Sequence, residues 1–172
     1  MSNRMKPINQ MENFDLEERT QIAVGNFESG YNCAQSVFLA YADVVELDLE
    51  TAKKMSVSFG GGMGRMREVC GTISALAMLA GFRYPVADTT DQEARTRNYA
   101  MVQLAAGRFK EKYGTIICRE LLPPADAAAT HPAPAPRTKA YYGKRPCGKY
   151  VAEAARIAGE MLKGELETEL SV

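Results

Sequence analysis

Four cysteines carry the most distinctive chemistry in this sequence. None of them belongs to a CxxC pair, and structural zinc sites use two such closely spaced pairs, so the spacing does not favour a zinc finger. Four thiolates can instead ligate an iron–sulfur cluster. Thiols can also cycle between dithiol and disulfide by thiol–disulfide exchange. Zinc in a closed four-thiolate site is a third and weaker interpretation, and the residues concerned are Cys33, Cys70, Cys118 and Cys147.

The four cysteines share one predicted position, which is the first turn of a helix. There the unpaired N–H groups and the helix dipole favour negative charge, so each thiol is predicted to have a lowered pKa. If the helix starts converge, the thiols form one site for electron transfer. We therefore predict Cys33, Cys70, Cys118 and Cys147 as redox-active thiols and, if a cluster or zinc is bound, as its ligands. The alternative is a non-catalytic helical module, either metal-binding (zinc) or structural, whose cysteines are small buried hydrophobes.

A glycine-rich loop at residues 58–65, SFGGGMGR, precedes the second cysteine. Glycines this dense do not continue a helix. The loop lacks the GxxxxGK[ST] pattern of a phosphate-binding loop, so we predict a nest of backbone N–H groups that faces the cysteines. Nearby Arg67, like the arginine of the loop, either adds positive charge to this site or lies on the solvated surface. The predicted cofactor-binding residues are Gly60, Gly61, Gly62, Gly64 and Arg65.

Helix signals before the glycine-rich loop predict three helices. The first begins near Asp15 and ends near Gly30. Asn32, with Gln35 three residues later, has the pattern of a capping box and opens the second helix. Asp48 is the predicted cap of the third. Each of these starts is a short polar residue placed directly before an apolar periodic segment.

Three further helical segments are predicted after the loop. The fourth helix covers residues 70–83, and Thr90 opens a second capping box for a long fifth helix over residues 91–113. After a short turn that carries Cys118, Pro146 is predicted at the first position of the last helix. The expected buried stripes are Tyr99, Val102, Ala106 and Phe109 on the fifth helix, and Val151, Ala154, Ala155, Ala158, Met161 and Leu162 on the last.

No segment alternates convincingly with the period of two that a strand requires, so the predicted fold class is all-α, a single-domain bundle of five or six helices. Residues 1–13 are predicted to form a flexible N-terminal arm, and residues 14–172 one helical domain. Within that domain, residues 123–139 are rich in proline and alanine. We expect this stretch to be an extended surface segment.

Composition limits the classes of partner and the compartment. Acidic and basic residues balance at 21 each, so no global field attracts nucleic acid. The longest apolar run is about half of the roughly 20 residues that a membrane-spanning helix needs, so no membrane insertion is expected. Without a secretory signal the predicted location is cytoplasmic, where structural disulfides are rare. An exposed apolar strip on the second or fourth helix could support a homodimer.

Four sequence blocks resemble one known family. They are GYNCAQSV (30–37), FGGGMGR with EVCG (59–71), CREL (118–121) and RPCGKYV (145–151). In this order they are similar to the redox-active protein family named for its C-GCAxxG-C-C cysteine pattern. The resemblance implies a small helical protein with four characteristic cysteines, a redox role and an unknown redox partner protein. A related helical domain accompanies an iron–sulfur centre in split-Soret cytochromes, which supports the cluster interpretation. The sequence has no CxxCH motif, so no covalent haem is implied.

Overall fold

The computed structural model describes residues 11–170, and within that part of the chain all regular structure is helical apart from a single bridge between Val69 and Ile117. The all-α prediction is therefore confirmed. The helices are α1 (Leu16–Glu28), α2 (Cys33–Leu39), α3 (Leu49–Ser56), α4 (Gly71–Arg83), α5 (Gln92–Tyr113), α6 (Cys118–Leu121), α7 (Pro124–Ala128), α8 (Lys139–Lys144) and α9 (Cys147–Leu162), with 3-10 turns at Val57–Phe59 and Glu167–Glu169.

Helix α9 lies at the centre of the fold and packs against α1, α2, α4 and α5. Its predicted apolar face is confirmed, because every one of its members is buried. Three of the six are alanines, and such small side chains let neighbouring helices approach closely. Tyr41 anchors the residues after α2 to this helix, since its buried hydroxyl donates a hydrogen bond to the carbonyl oxygen of Ala155 at 2.7 Å. The remaining members of the face are Val151, Ala154, Ala158, Met161 and Leu162.

The buried stripe of α5 differs from the prediction. Phe109 is buried as expected, but Tyr99 is 59% exposed, and Met101 and Ala105 are buried in place of the predicted residues. The contact face of α5 therefore follows steps of four residues, which is the spacing of side chains stacked along one helix face. Leaving Tyr99 at the surface also keeps its hydroxyl in water.

Most predicted helix caps are present. The side chains of Asp15 and Asp48 accept hydrogen bonds from backbone N–H groups three residues later. Asn32 and Gln35 form the predicted capping box. The predicted capping box at Thr90 is wrong. The carboxylate of Asp91 caps α5 instead, by accepting a hydrogen bond from the N–H of Ala94 at 2.8 Å.

The starts of α4 and α9 each lie one residue later than predicted. Cys70 is the N-cap of α4, so the helix begins at Gly71. Pro146 is the N-cap of α9, and Cys147 is the first helical residue. Helix α8 was not predicted at all, and its cap is Thr138, whose hydroxyl accepts a bond from the N–H of Tyr141.

Chain termini and the proline-rich segment complete the fold. Residues 1–10 of the predicted arm lie outside the described residues, but Met11 is buried and the carboxylate of Glu12 lies 3.1 Å from the guanidinium of Arg83. The proline-rich segment contains the short helix α7 and is otherwise irregular. Between residues 11 and 170, every helix is too short or too polar to span a lipid bilayer.

Candidate functional site

All four cysteines line one cavity of about 440 Å³. Cys33, Cys118 and Cys147 are the first residues of α2, α6 and α9, and Cys70 caps α4, so four helix starts meet around this space. Distant parts of the chain thus bring their thiols to one location. No disulfide joins them, and all four are free thiols.

Cys33 is surrounded by hydrogen-bond donors. The thiol of Cys70 and the backbone N–H groups of Gly61, Ala34 and Gly71 all stabilise negative charge on its sulfur. These bonds favour the thiolate more than burial opposes it. Together they lower the pKa of Cys33 to about 6, and the first contributor is the bond from Cys70.

Cys70 has the opposite behaviour. Its hydrogen bond to Cys33 and its burial raise its pKa well above the usual range, although Thr72 offers a hydroxyl at 3.1 Å from the sulfur. The pair therefore holds one proton and one negative charge. At neutral pH Cys33 is the thiolate and Cys70 is the thiol that donates to it.

Two cysteines remain as protonated thiols at neutral pH. Burial raises the pKa of Cys118, and burial followed by the negative charge of Cys33 raises that of Cys147 to about 12. The prediction that every helix start lowers the pKa of its cysteine is thus wrong for Cys70, Cys118 and Cys147. Loss of hydration outweighs the helix dipole at these three positions, and only Cys33 receives enough direct hydrogen bonds to overcome it.

The glycine-rich loop forms a left-handed turn on the cavity wall. Every residue from 61 to 65 has a φ between +55° and +69°, a conformation in which glycine alone carries no steric penalty. Of the predicted loop residues, Gly60, Gly61, Gly64 and Arg65 line the cavity. Gly62 lies behind them, where a Cβ atom would come within 2.7 Å of the Cβ of Cys118.

Arg65 in the loop and Arg67 just after it hold the proline-rich segment over the cavity. Arg65 donates to the carbonyl oxygens of His131 at 2.8 Å and Ala129 at 3.3 Å. Arg67 donates to the same oxygen of Ala129 through two nitrogens, at 3.2 and 2.9 Å. Arg67 is only 2% exposed, so the prediction that it lies either in the site or on the surface resolves to a buried residue that lines the cavity.

Sequence reasoning missed Arg137 as a member of the site. It lines the cavity from the proline-rich segment, and its guanidinium lies 4.6 Å from the ring centre of Tyr141 and 5.1 Å from that of Phe27. Arg145 also lines the cavity, with its guanidinium 4.6 Å from the ring centre of Tyr141, and it pairs with Asp126. The signal available in the sequence was an arginine placed shortly before a pair of tyrosines.

The positions of the side chains around the cavity bear on whether a metal ion could bind there. In the described part of the chain, no three or more cysteine, histidine, aspartate or glutamate side chains are grouped so that they could hold one metal ion. A zinc site needs its ligands around a single point. The predicted mononuclear zinc site therefore does not fit the side chains as they lie.

Fold and site define the class of this protein, which is a helical protein with four thiols around one cavity. A family model described as "Putative redox-active protein (C_GCAxxG_C_C)" matches residues 31–161, which is most of the chain and includes all four cysteines. The chain belongs to this family. No curated protein sequence and no solved structure matches it.

Proposed function

We propose that this protein transfers electrons by thiol–disulfide exchange, with Cys33 as the attacking thiolate and Cys70 as the resolving thiol. The observation that carries the proposal is that Cys33 and Cys70 line one cavity and that the Cys33 sulfur lies against Gly71, the residue next to Cys70. Interaction with Cys70 and with three backbone N–H groups lowers the pKa of Cys33. A thiolate is the nucleophile in such exchange, and a pKa near 6 makes it the main form at neutral pH.

The exchange proceeds in two displacements. The Cys33 thiolate attacks one sulfur of a substrate disulfide, the substrate S–S bond breaks, and the first thiolate product leaves and takes up a proton. In the mixed disulfide Cys33 has lost its charge, so the pKa of Cys70 falls from its raised value. Cys70 then gives up its proton and attacks the Cys33 sulfur, which releases the second product. The dithiol is oxidised to a disulfide, and one substrate disulfide is reduced to two thiols.

A second candidate is an iron–sulfur cluster. It is favoured by the convergence of all four cysteines on one cavity, because a cluster is several atoms wide and takes its ligands from surrounding walls. Cys33, Cys70, Cys118 and Cys147 would hold it, and the N–H groups of Gly61 and Gly71 would offset its negative charge. When bound, the cluster supplies one-electron transfer.

One purification separates these candidates. Protein isolated without oxygen is analysed for iron and acid-labile sulfide, and its free thiols are counted before and after mild oxidation with diamide. Thiol–disulfide exchange predicts metal-free protein that loses two thiols, with the new bond mapped by mass spectrometry to Cys33 and Cys70. Brown protein with stoichiometric iron and sulfide would support the cluster. Zinc, or four thiols that resist oxidation, would contradict both.

Single variants assign the roles. Cys33→Ser should abolish the two-thiol loss, and Cys70→Ser should trap the half of the substrate that would leave second as a mixed disulfide on Cys33. Cys147→Ser is the matched control, because its thiol is protonated at neutral pH and should not take part in the first exchange. A mixed disulfide on Cys147 would overturn the assignment.

The setting of this function is part of the proposal. Exchange of this kind needs reduced thiols, and the cytoplasm keeps thiols reduced, so we propose a cytoplasmic protein. A separate redox protein would restore the dithiol after each cycle. The balanced charge of this chain gives no reason to expect nucleic acid as a partner. The predicted apolar strip is wrong, because α2 and α4 leave no large apolar side chain exposed. A homodimer is instead compatible with Met55 on α3 and Val57 in the turn after it, which are exposed.

A further inference from the structure

The cavity wall around the cysteines is cationic. Four arginines line it, and no aspartate or glutamate does. Asp126 pairs with Arg145, whose Nε lies 2.8 Å from the carboxylate. Within residues 11–170, no carboxylate lies within ion-pair distance of Arg65, Arg67 or Arg137. Three guanidinium groups therefore face this region without a carboxylate as hydrogen-bond partner among the described residues.

Arg67 makes this excess of positive charge costly. It is 2% exposed, and its Nε and Nη2 donate only to the carbonyl oxygen of Ala129. A buried charge is destabilising unless an opposite charge lies nearby. The carbonyl oxygen of Ala129 accepts hydrogen bonds but carries no full negative charge, and Arg67 shares the cavity wall with Arg65 and Arg137.

One nitrogen of the Arg137 guanidinium has no hydrogen-bond partner among the described residues. Its Nη2 donates to the carbonyl oxygen of Tyr31 at 3.3 Å, while Nη1 is buried and has no partner among the described residues. The rings of Phe27 and Tyr141 hold the guanidinium in place. Arginine presents a planar fork of N–H groups that matches a carboxylate, and an oriented guanidinium with an unused N–H group is suited to receive one.

The rest of the wall is apolar. Phe27, Leu121, Leu122 and Tyr150 line the cavity together with prolines 132 and 134 of the proline-rich segment. A volume of about 440 Å³ is typical of small-molecule sites, which combine apolar walls with a few placed polar groups. The combination fits an organic molecule with negatively charged ends better than a bare inorganic ion.

We propose that the substrate is a small organic disulfide that carries carboxylate groups. This substrate class rests on the proposed thiol–disulfide exchange at Cys33. The carboxylates bind the arginine wall of Arg65, Arg67 and Arg137, and the apolar chain brings the S–S bond to the Cys33 thiolate. Each half leaves as a thiol that carries a carboxylate, and the electrons come from Cys33 and Cys70.

The first test compares three disulfides of similar size. They are 3,3′-dithiodipropionate with two carboxylates, neutral 2-hydroxyethyl disulfide and cationic cystamine. Each rate of Cys33–Cys70 oxidation is divided by the rate at which the same disulfide oxidises free 2-mercaptoethanol, a thiol with no other charged group. We expect the dicarboxylate to react at least about tenfold faster than the neutral disulfide, cystamine to react most slowly, and added salt to reduce the difference. Equal normalised rates would overturn the substrate class.

The second test measures binding without redox chemistry. Suberate is the dicarboxylate in which two CH₂ groups replace the S–S bond, and calorimetry with the Cys33→Ser protein should detect its binding. Arg137→Gln should weaken it at least about tenfold. Arg65→Gln gives a second variant in case the first does not fold. The control is Arg97→Gln, because Arg97 pairs with Glu93 on the surface of α5 and does not line the cavity.

The outcomes separate the two proposals. Suberate binding that depends on Arg137, together with unreactive disulfides, would support the anion site and overturn the exchange. Oxidation without charge preference and without suberate binding would overturn the substrate class alone. Displacement of suberate by inorganic phosphate at equal concentration would show that any small anion suffices, which would overturn the organic class.

Discussion

The Cys33 sulfur lies against Gly71, the residue next to Cys70, so two cysteines from separate helix starts meet at the wall of one cavity. Packing of α2 against α4 places them together. The contact also requires the absence of a side chain at Gly71, where a Cβ atom would lie 2.6 Å from the Cys33 sulfur. The acidity of Cys33 is therefore a property of the packed fold.

Alkylation should reveal the acidic thiol. With iodoacetamide, Cys33 should react with a midpoint near pH 6, because only the thiolate is nucleophilic. The modified residue can be followed by peptide mass spectrometry across pH 5 to 10. In Cys70→Ala the midpoint should rise, since the largest contribution to the low pKa is removed. A midpoint for Cys33 near its ordinary value of 9 would refute the assignment.

Stability should depend on pH through the same group. The pKa of Cys33 is about 6 when folded and near 9 when unfolded, so between these values the unfolded chain binds more protons and stability rises with pH. The contribution is complete above about pH 9 and is lost as the pH falls through 6. Urea denaturation at several pH values should show this slope, which Cys33→Ser should reduce.

Cys147→Ser is the control for that slope. The pKa of Cys147 is raised to about 12, so its contribution to stability is present below pH 9 and is lost only as the pH rises through 12. Between pH 6 and 9 the variant should therefore keep the slope of the unmodified protein. If Cys147→Ser lost the slope, the pH dependence of stability would come from Cys147 and not from Cys33.

Gly71→Ala should damage both stability and the acidic thiol. The added Cβ would lie 2.6 Å from the Cys33 sulfur and 2.8 Å from the carbonyl oxygen of Phe59, so one of them must move. We expect a loss of about 1–3 kcal/mol in unfolding free energy and a raised pKa for Cys33. Gly81→Ala in the same helix meets nothing within 4 Å and should be neutral or stabilising by about 0.5–1 kcal/mol. Equal effects of the two substitutions would contradict this packing.

The loop offers a second matched pair. Gly62 and Gly64 both have positive φ, but only a Cβ at Gly62 would collide, at 2.7 Å from both the Cβ of Cys118 and the backbone nitrogen of Glu68. Gly64→Ala should cost about 1–2 kcal/mol through backbone strain alone. Gly62→Ala should cost more and should alter the reactivity of Cys118. Thermal unfolding of both variants measures the difference, and a larger loss for Gly64→Ala would contradict the described loop.

Local signals predicted the helix starts better than they predicted the site. Asp15 and Asn32 cap helices through bonds that span three residues, which a short pattern contains in full. The acidity of Cys33 depends on N–H groups from Gly61 and Gly71, which belong to other elements. A left-handed turn over residues 61–65 determines where one of those groups points, and glycine content alone does not specify that turn.

The arginines show the same limit. Arg67 lies near the loop in the sequence and was open to either a surface or a site interpretation, because its burial depends on the proline-rich segment folding back over it. Arg137 comes from that segment, whose composition predicts only an irregular path. Its position beside Phe27 and Tyr141 arises from long-range packing, to which no local pattern corresponds.

The proline-rich segment is fastened to the loop through main-chain oxygens. Arg65 and Arg67 bond to the segment through the carbonyl oxygens of Ala129 and His131, and every type of amino acid carries that group. Substitutions at these two positions would therefore preserve the attachment, whereas deletions would shift the oxygens away from the arginines. The attachment therefore constrains the length of this segment more strictly than it constrains the side chains at positions 129 and 131.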